Sequence, residues 1–387
     1  MPVERHATPR LRRLAEGFPV VVMTGPRQSG KTTLARMAFG SHAYVSLEDP
    51  DTRERVAADP RGFLQAHSQG LIIDEAQRWP ALLSYLQTWV DGSRVRTGYV
   101  LTGSQNLMLL AQVGQSLAGR AGLLELLPLA WSELGPALAP PTLDHWLLRG
   151  GYPALYDRPV PWAEWMSSYV ASYVERDVRQ ISRVNDLLLF QRFLRMMAAR
   201  CGQLLNLNAV AHDLGIAQTT ARDWLAVLEA SYITWRLPPY HANFGKRLVK
   251  TPKLYFHDTG LACWLLGIGS EVALNVHPMR GALFENMLMN EYLKYCRNRG
   301  GGAQMHFWRD HIGNEVDLLI ELDGRLWPVE MKSGATFQRE WLGPIATWWR
   351  HTEGAPRGRP MLISDAPGGG EVDGVALVHW RDALAGL

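Results

Sequence analysis

Cysteine, lysine and long apolar runs are all scarce in this chain. Of 387 residues only 3 are cysteine. Cys201, Cys263 and Cys296 are too widely spaced for a zinc motif or a disulfide framework, so buried thiols in a reducing compartment are expected. No apolar stretch approaches the ~18 residues of a membrane span; Leu123 to Trp131 comes nearest, and no basic-then-apolar leader opens the chain. A soluble, cytoplasmic protein without a membrane partner is therefore expected. The net charge of +3 is too small to signal nucleic-acid binding unless a local patch carries it. Repeats and low-complexity tracts are also missing, while 47% apolar residues promise sizeable cores in roughly two to three domains.

Lysine is the sharpest scarcity. There are 6 lysines among 40 basic residues, and arginine does not easily replace a compact ammonium at a catalytic position. Lys31 sits in a phosphate-loop pattern, Lys246, Lys250 and Lys253 share one short segment, Lys332 lies in a second chemical motif, and Lys294 has no suggested role. A general bias toward arginine explains the count equally well.

The strongest pattern is Phe18 to Thr24 running into GPRQSGKTT, with TLARMAF following as a helix. An apolar β-branched strand delivering the chain to a glycine loop, and a helix leaving it, is the context that such a loop requires. Gly25, Pro26, Arg27, Gln28, Ser29, Gly30, Lys31, Thr32 and Thr33 are expected to cradle a nucleoside triphosphate. Backbone N–H groups and the helix dipole face the phosphates, Lys31 reaches the terminal ones and Thr32 ligates Mg²⁺.

Residues 1 to 135 alternate strands (Val20–Thr24, Ala43–Leu47, Leu71–Asp74, Tyr99–Gly103, Leu123–Leu127) with helices, the pattern of a parallel α/β sheet. LIIDEAQ places Asp74 and Glu75 at a strand's C-terminal edge, where ligands bind in such sheets. Asp74 is expected to hold Mg²⁺ through water and Glu75 to orient the attacking water. Thr102 and Ser104, ending another strand, are candidates for the γ-phosphate or the lytic water. Arg120, in SLAGR, is a candidate arginine finger for a neighbouring subunit, worth roughly 10³-fold or more; pairing with a local carboxylate such as Glu125 is the alternative.

Residues 136 to 202 read as a helical lid, with Arg176, Asp177 and Arg179 more in keeping with a helix-surface pair than a nucleotide contact. Residues 203 to 258 contain a helix, a Leu214-Gly215-Ile216 turn and a second helix starting near Gln218, which is a helix-turn-helix pattern. Gln218, Thr219 and Arg222 lie where such a helix reaches DNA. Lys246, Arg247, Lys250 and Lys253, in the hairpin that follows, suit a wing on phosphates; an ordinary solvated face is the bland reading.

In residues 259 to 387, Asn314 to Gly334 reads as two strands joined by the tight turn Asp323-Gly324. Leu322 then faces Arg325, and stepping inward brings Asp317 opposite Glu330. Two facing carboxylates repel unless a cation joins them. Lys332 lies on the same face as Glu330.

The motifs GPRQSGKTTL, LIIDEAQ, LTGS and SLAGR resemble those of the AAA+ ATPases. With GGYPAL, YFHDTGLA and GALFEN, nearly the whole chain resembles prokaryotic AAA ATPases whose C-terminal half carries a winged helix and a nuclease-like domain. The resemblance implies an α/β AAA+ P-loop sheet with a helical lid, then a winged helix and a restriction-endonuclease-like α/β domain. It implies ATP and Mg²⁺ as cofactors, DNA as partner and a ring-like homo-oligomer. Glu285, Asp317, Glu330 and Lys332 match the PD-(D/E)xK nuclease pattern, in which carboxylates hold Mg²⁺ at a phosphate and lysine assists water. Two functions stay open: an ATPase that remodels or translocates DNA, with or without cutting it, and a regulatory ATP switch whose C-terminal half recruits protein partners.

Overall fold

A computed structural model describes residues 3–92, 98–103, 114, 116–174, 186–240, 251–352 and 356–385. The chain divides into two compact units. The first comprises residues 1–129, 152–157 and 230–232; the second comprises 130–151, 158–229 and 233–387.

The first unit is built from α1 (Thr8–Gly17), β1 (Val20–Thr24), α2 (Lys31–Ala38), β2 (Ala43–Ser46), α3 (Pro50–Ala58), α4 (Pro60–Ala66), β3 (Leu71–Asp74), α5 (Leu82–Gly92), β4 (Tyr99–Thr102) and β5 (Ala121–Glu125). The strands form one parallel sheet in the order β2-β3-β4-β1-β5. Successive side chains of a strand point to opposite faces. Accordingly Val20, Val22, Ile73 and Leu101 pack with Leu82, Leu83 and Leu86 on one side. Val21, Met23, Ile72 and Val100 pack with Leu11, Leu34 and Ala35 on the other. Such burial on both faces explains why β1 and β3 read as unbroken apolar runs.

The last strand begins two residues earlier than the apolar pattern Leu123–Leu127 implies, because Ala121 and Gly122 already pair with Val20 and Val21. Glycine is depleted in strands, so Gly122 carries no strand signal of its own. A Cβ there would lie 2.9 Å from Phe18 and 3.0 Å from Leu14, so its bareness lets α1 lie against the strand.

The second unit holds α6 (Leu143–Arg149), α7 (Trp162–Tyr169), α8 (Leu187–Ala198), α9 (Leu207–Leu214), α10 (Gln218–Ala230, whose last residue counts with the first unit), β6 (Thr234–Leu237) and β7 (Lys253–Phe256). Then follow α11 (Thr259–Leu265), α12 (Arg280–Arg299), β8 (Ala303–Arg309), β9 (Glu315–Leu322), β10 (Arg325–Lys332), α13 (Gly343–His351), β11 (Met361–Ser364), β12 (Glu371–Val372) and β13 (Val375–His379). Asn206 caps α9, and Gly215, at φ 67°, ends it in the left-handed conformation that glycine adopts without strain. Trp224 of α10 meets Phe190 and Phe193 of α8 edge-on, with ring centroids 5.4 Å apart in both pairs. β6 and β7 pair antiparallel.

The larger sheet runs β12-β13-β11-β10-β9-β8. Arg325 pairs with Leu322 and Val329 with Leu318, the register implied by the Asp323-Gly324 turn. Pro328 sits within that ladder without shifting it. Among the described residues no helix is long and apolar enough to cross a membrane.

Candidate nucleotide site and a charged cluster

The loop after β1 is shaped by glycines that no other residue replaces freely. Gly25 has φ 142°, and a Cβ on it would stand 2.1 Å from the Leu126 carbonyl oxygen. Gly30, at φ 91°, occupies the N-cap of α2, and no side chain caps that helix. Its first N–H groups therefore lack a side-chain acceptor at the loop, and the helix dipole favours an anion there. Ser29 is fully buried and its hydroxyl has no hydrogen-bond partner.

Lys31 curls back over the loop and donates to the carbonyls of Gly25 at 3.0 Å and Pro26 at 2.7 Å. Burial pushes its pKa down to about 8, against the opposing pull of Glu75 and Asp74. Arg5 braces the loop from behind, donating to the Ser29 carbonyl at 2.8 Å and the Leu127 carbonyl at 2.7 Å.

Asp74 ends β3 and is the hub of the polar side. Thr32 donates to its Oδ1 at 3.1 Å, Thr102 of β4 donates to the same oxygen, and Tyr44 of β2 donates to Oδ2 at 2.9 Å. Burial and the Asp74 charge raise the Tyr44 pKa to about 12, so the phenol stays a donor. Glu75 has a left-handed backbone, φ 54° and ψ 44°, and its Oε2 accepts from Gln77 at 2.5 Å. The Thr32–Asp74 pair at the mouth of an uncapped helix, with a buried lysine beside it, fits a triphosphate and a hard, oxygen-seeking cation.

The structure brings Lys31, Thr32, Asp74 and Glu75 together, along with Thr102. Tyr44, Gln77, Arg5 and Tyr232 are partners that motif reading did not single out. Tyr232, buried, donates to Thr24 Oγ1 at 2.9 Å, at the end of β1. Arg120 forms a two-pronged pair with Asp91, at 2.5 and 2.8 Å, rather than with Glu125. Ser104 and the Arg176, Asp177 and Arg179 group lie outside the described residues.

In the second unit Gln218, Thr219 and Arg222 are exposed on the first turns of α10. Lys246, Arg247 and Lys250 lie outside the described residues. Lys253 does not belong with them. It is 2% exposed, so the expectation of a phosphate contact on a wing is corrected: its ammonium is turned into the protein. There it lies 3.0 Å from Glu285 of α12 and 2.5 Å from Glu315 of β9.

Of the residues that the sequence matches to the PD-(D/E)xK pattern, Glu285 meets that ammonium, and Asp317 and Glu330 meet Lys332. Tyr255 donates to Glu285 at 2.6 Å. Lys332 bonds to Glu330 and lies 3.7 Å from Asp317, while the Met331 N–H donates to Asp317 at 2.9 Å. The strand pairing stops at Val329 and Leu318, one step before Asp317 and Glu330 would face. Glu330 is 2% exposed, and its second oxygen has no hydrogen-bond partner. Burial, then the Asp317 charge, push the Glu330 carboxyl well above the usual range; burial likewise raises Glu285. Burial opposes the charge on Lys253, but Glu285, Asp317 and Glu315 outweigh it and raise its pKa. Among the described residues no three His, Cys, Asp or Glu side chains are grouped to hold a metal ion.

Residues 17–135 match the model of a family described as AAA domain. Residues 141–272 and 280–353 match two different families, each described as a domain of unknown function. Uncharacterised proteins of Mycobacterium tuberculosis and Mycobacterium bovis are each 35% identical to this chain over 336 residues, covering 86% of it and 74% of the relative. Among solved structures, a Walker-type ATPase of Pyrococcus abyssi aligns at 16% identity and TM-score 0.47, covering 68% of this chain and 98% of that one.

Proposed function

This chain belongs to the family of those mycobacterial proteins and carries an AAA-type ATPase domain, and on that premise we propose that it is an oligomeric, Mg²⁺-dependent ATP hydrolase that acts on DNA. The observation that carries the ATPase reading is the Lys31, Thr32 and Asp74 arrangement at the uncapped start of α2. Thr32 would ligate the ion and Asp74 would hold it through water; such an ion would neutralise phosphate charge. Lys31 swings from the loop carbonyls to the terminal phosphates. Glu75, oriented by Gln77, positions the attacking water, and Thr102 keeps Asp74 in place.

The DNA part of the reading rests on the geometry of α9, the glycine turn and α10, with Gln218, Thr219 and Arg222 exposed as in a recognition helix. A winged helix followed by a nuclease-like fold is the corresponding domain assignment. Arg120, half exposed and paired with Asp91 in solvent where such pairs are weak, is the finger offered to a neighbour in a ring. A second reading, an ATP switch that recruits protein partners through a non-cutting nuclease fold, is favoured by the lysines already engaged at Glu285 and Glu330.

ATP turnover with Mg²⁺, alone and with single strands, duplex and four-way junctions, separates the two, with Glu75→Gln as the blank. Several-fold stimulation by one DNA form supports the DNA-coupled ATPase. Slow turnover indifferent to every DNA supports the switch, and turnover unaffected by Glu75→Gln overturns the site assignment itself.

A further inference from the structure

The cluster beneath β7 has the carboxylates of a metal-dependent phosphodiesterase centre, yet its charges are already bridged. Lys253 has a side chain 3% exposed, with its ammonium between Glu285 and Glu315 and 5.6 Å from the centre of the Phe307 ring. Tyr255, two residues along and on the same strand face, fills a further site on Glu285. Arg309 takes the other oxygen of Glu315 at 3.0 Å. Lys332 serves Glu330 and Asp317.

We propose that Lys253 is the resident cation of this centre: its ammonium does the bridging between helix and strand carboxylates that a divalent ion does in a metal-dependent nuclease, and the centre takes no divalent ion. The residues present do not fit the metal that the PD-(D/E)xK pattern implies. An ion joining Glu285 to the strand carboxylates has to displace an ammonium whose side chain is only 3% exposed, and an unpaired buried ammonium is strongly disfavoured. Mg²⁺ keeps waters but still needs one or two carboxylates to hold it; here Glu285 and Glu330 are engaged by Lys253 and Lys332, and among the described residues no three His, Cys, Asp or Glu side chains are grouped to hold a metal ion. The centre is thus a charge-closed joint that ties the strand of the small hairpin to α12 and the larger sheet. The inference is independent of the ATPase reading.

The test uses the full chain carrying Asp74→Asn, which removes the nucleotide-site ion ligand, with Mn²⁺ titrated in the absence of nucleotide and bound ion read from the free-ion EPR signal. Adding Glu330→Gln is expected to change nothing, because no ion is bound there. Lys253→Met on the same background is expected to lower the melting temperature in EDTA, to recover it with Mn²⁺, and to bind one Mn²⁺ that Glu285→Gln removes, since Glu285 is the helix carboxylate the ammonium holds. One Mn²⁺ bound by the Asp74→Asn protein and lost with Glu330→Gln overturns the proposal, as does a folded Lys253→Met protein that gains no ion. If Lys253→Met does not fold, the paired titrations with and without Glu330→Gln decide alone: a Glu330-dependent ion overturns, its absence supports.

Discussion

Replacing Lys31 by methionine should stabilise the nucleotide-free protein at neutral pH while abolishing its response to ATP. A drop from the ordinary lysine value of 10.5 to about 8 means that burial disfavours the folded ammonium by about 3 kcal/mol, net of its attraction to Glu75 and Asp74. Methionine removes that cost but leaves the carbonyls of Gly25 and Pro26 without their donor, a loss of about 1 kcal/mol each. The balance is a gain of about 1 kcal/mol, or ~2–4 °C for a unit of this size. The sign should depend on pH. Because the folded pKa lies below the unfolded one, the unfolded chain binds more protons between about 8 and 10.5, and wild-type stability rises across that window. By about pH 9.5 some 2 kcal/mol of the wild-type penalty has gone, so the order of the two proteins reverses. Thermal unfolding of both proteins without nucleotide, at about pH 7 and about pH 9.5, measures this directly. A methionine variant that is less stable at neutral pH, or a difference that ignores pH, refutes the buried-ammonium account.

The same titration governs ligand affinity: ATP needs the charged lysine, so binding of a fluorescent ATP analogue should weaken above about pH 8, approaching tenfold per pH unit. A flat profile across that range contradicts it. Gly25→Ala should cost more than about 2 kcal/mol and remove nucleotide binding, since its Cβ meets the Leu126 carbonyl at 2.1 Å; isothermal titration of the purified variant checks this. Burial pushes the thiols of Cys201 and Cys296 up to about 12 and about 11, and Cys263 also rises, so none should react with iodoacetamide at neutral pH until the chain is denatured. Arg222→Ala should reduce the salt slope of DNA binding by about one; an unchanged slope removes Arg222 from the interface.

Elements defined by short-range chemistry were readable in advance. The loop from Gly25 to Thr32 is spelled by consecutive residues, and the β9–β10 register follows from two turn residues. What stayed hidden depends on residues far apart in the chain. Tyr44 reaches Asp74 across 30 positions and Tyr232 reaches Thr24 across 208, and neither tyrosine carries a local signature of its role. Lys253 misled because lysine near other basic residues suggests a solvated patch. A signal was present in its strand: Lys253, Leu254, Tyr255 and Phe256 are buried in unbroken succession. An apolar and aromatic run with one lysine points to burial on both faces, where a charge survives only with partners.

The first unit closes late in the chain. Its sheet is finished by Glu125, yet residues 152–157 and 230–232 belong to it as well, and Tyr232 is the residue that bonds to Thr24 just before the phosphate loop. On a translating ribosome roughly 100 residues separate completion of the sheet from the arrival of that tyrosine, about 5–20 s at ordinary rates. During that interval the nascent phosphate loop lacks one of its supports. A stop codon shortly after the sheet, or a genetic split at residue 135, should therefore yield an ATPase fragment that is incomplete although every sequence motif of its nucleotide site is present.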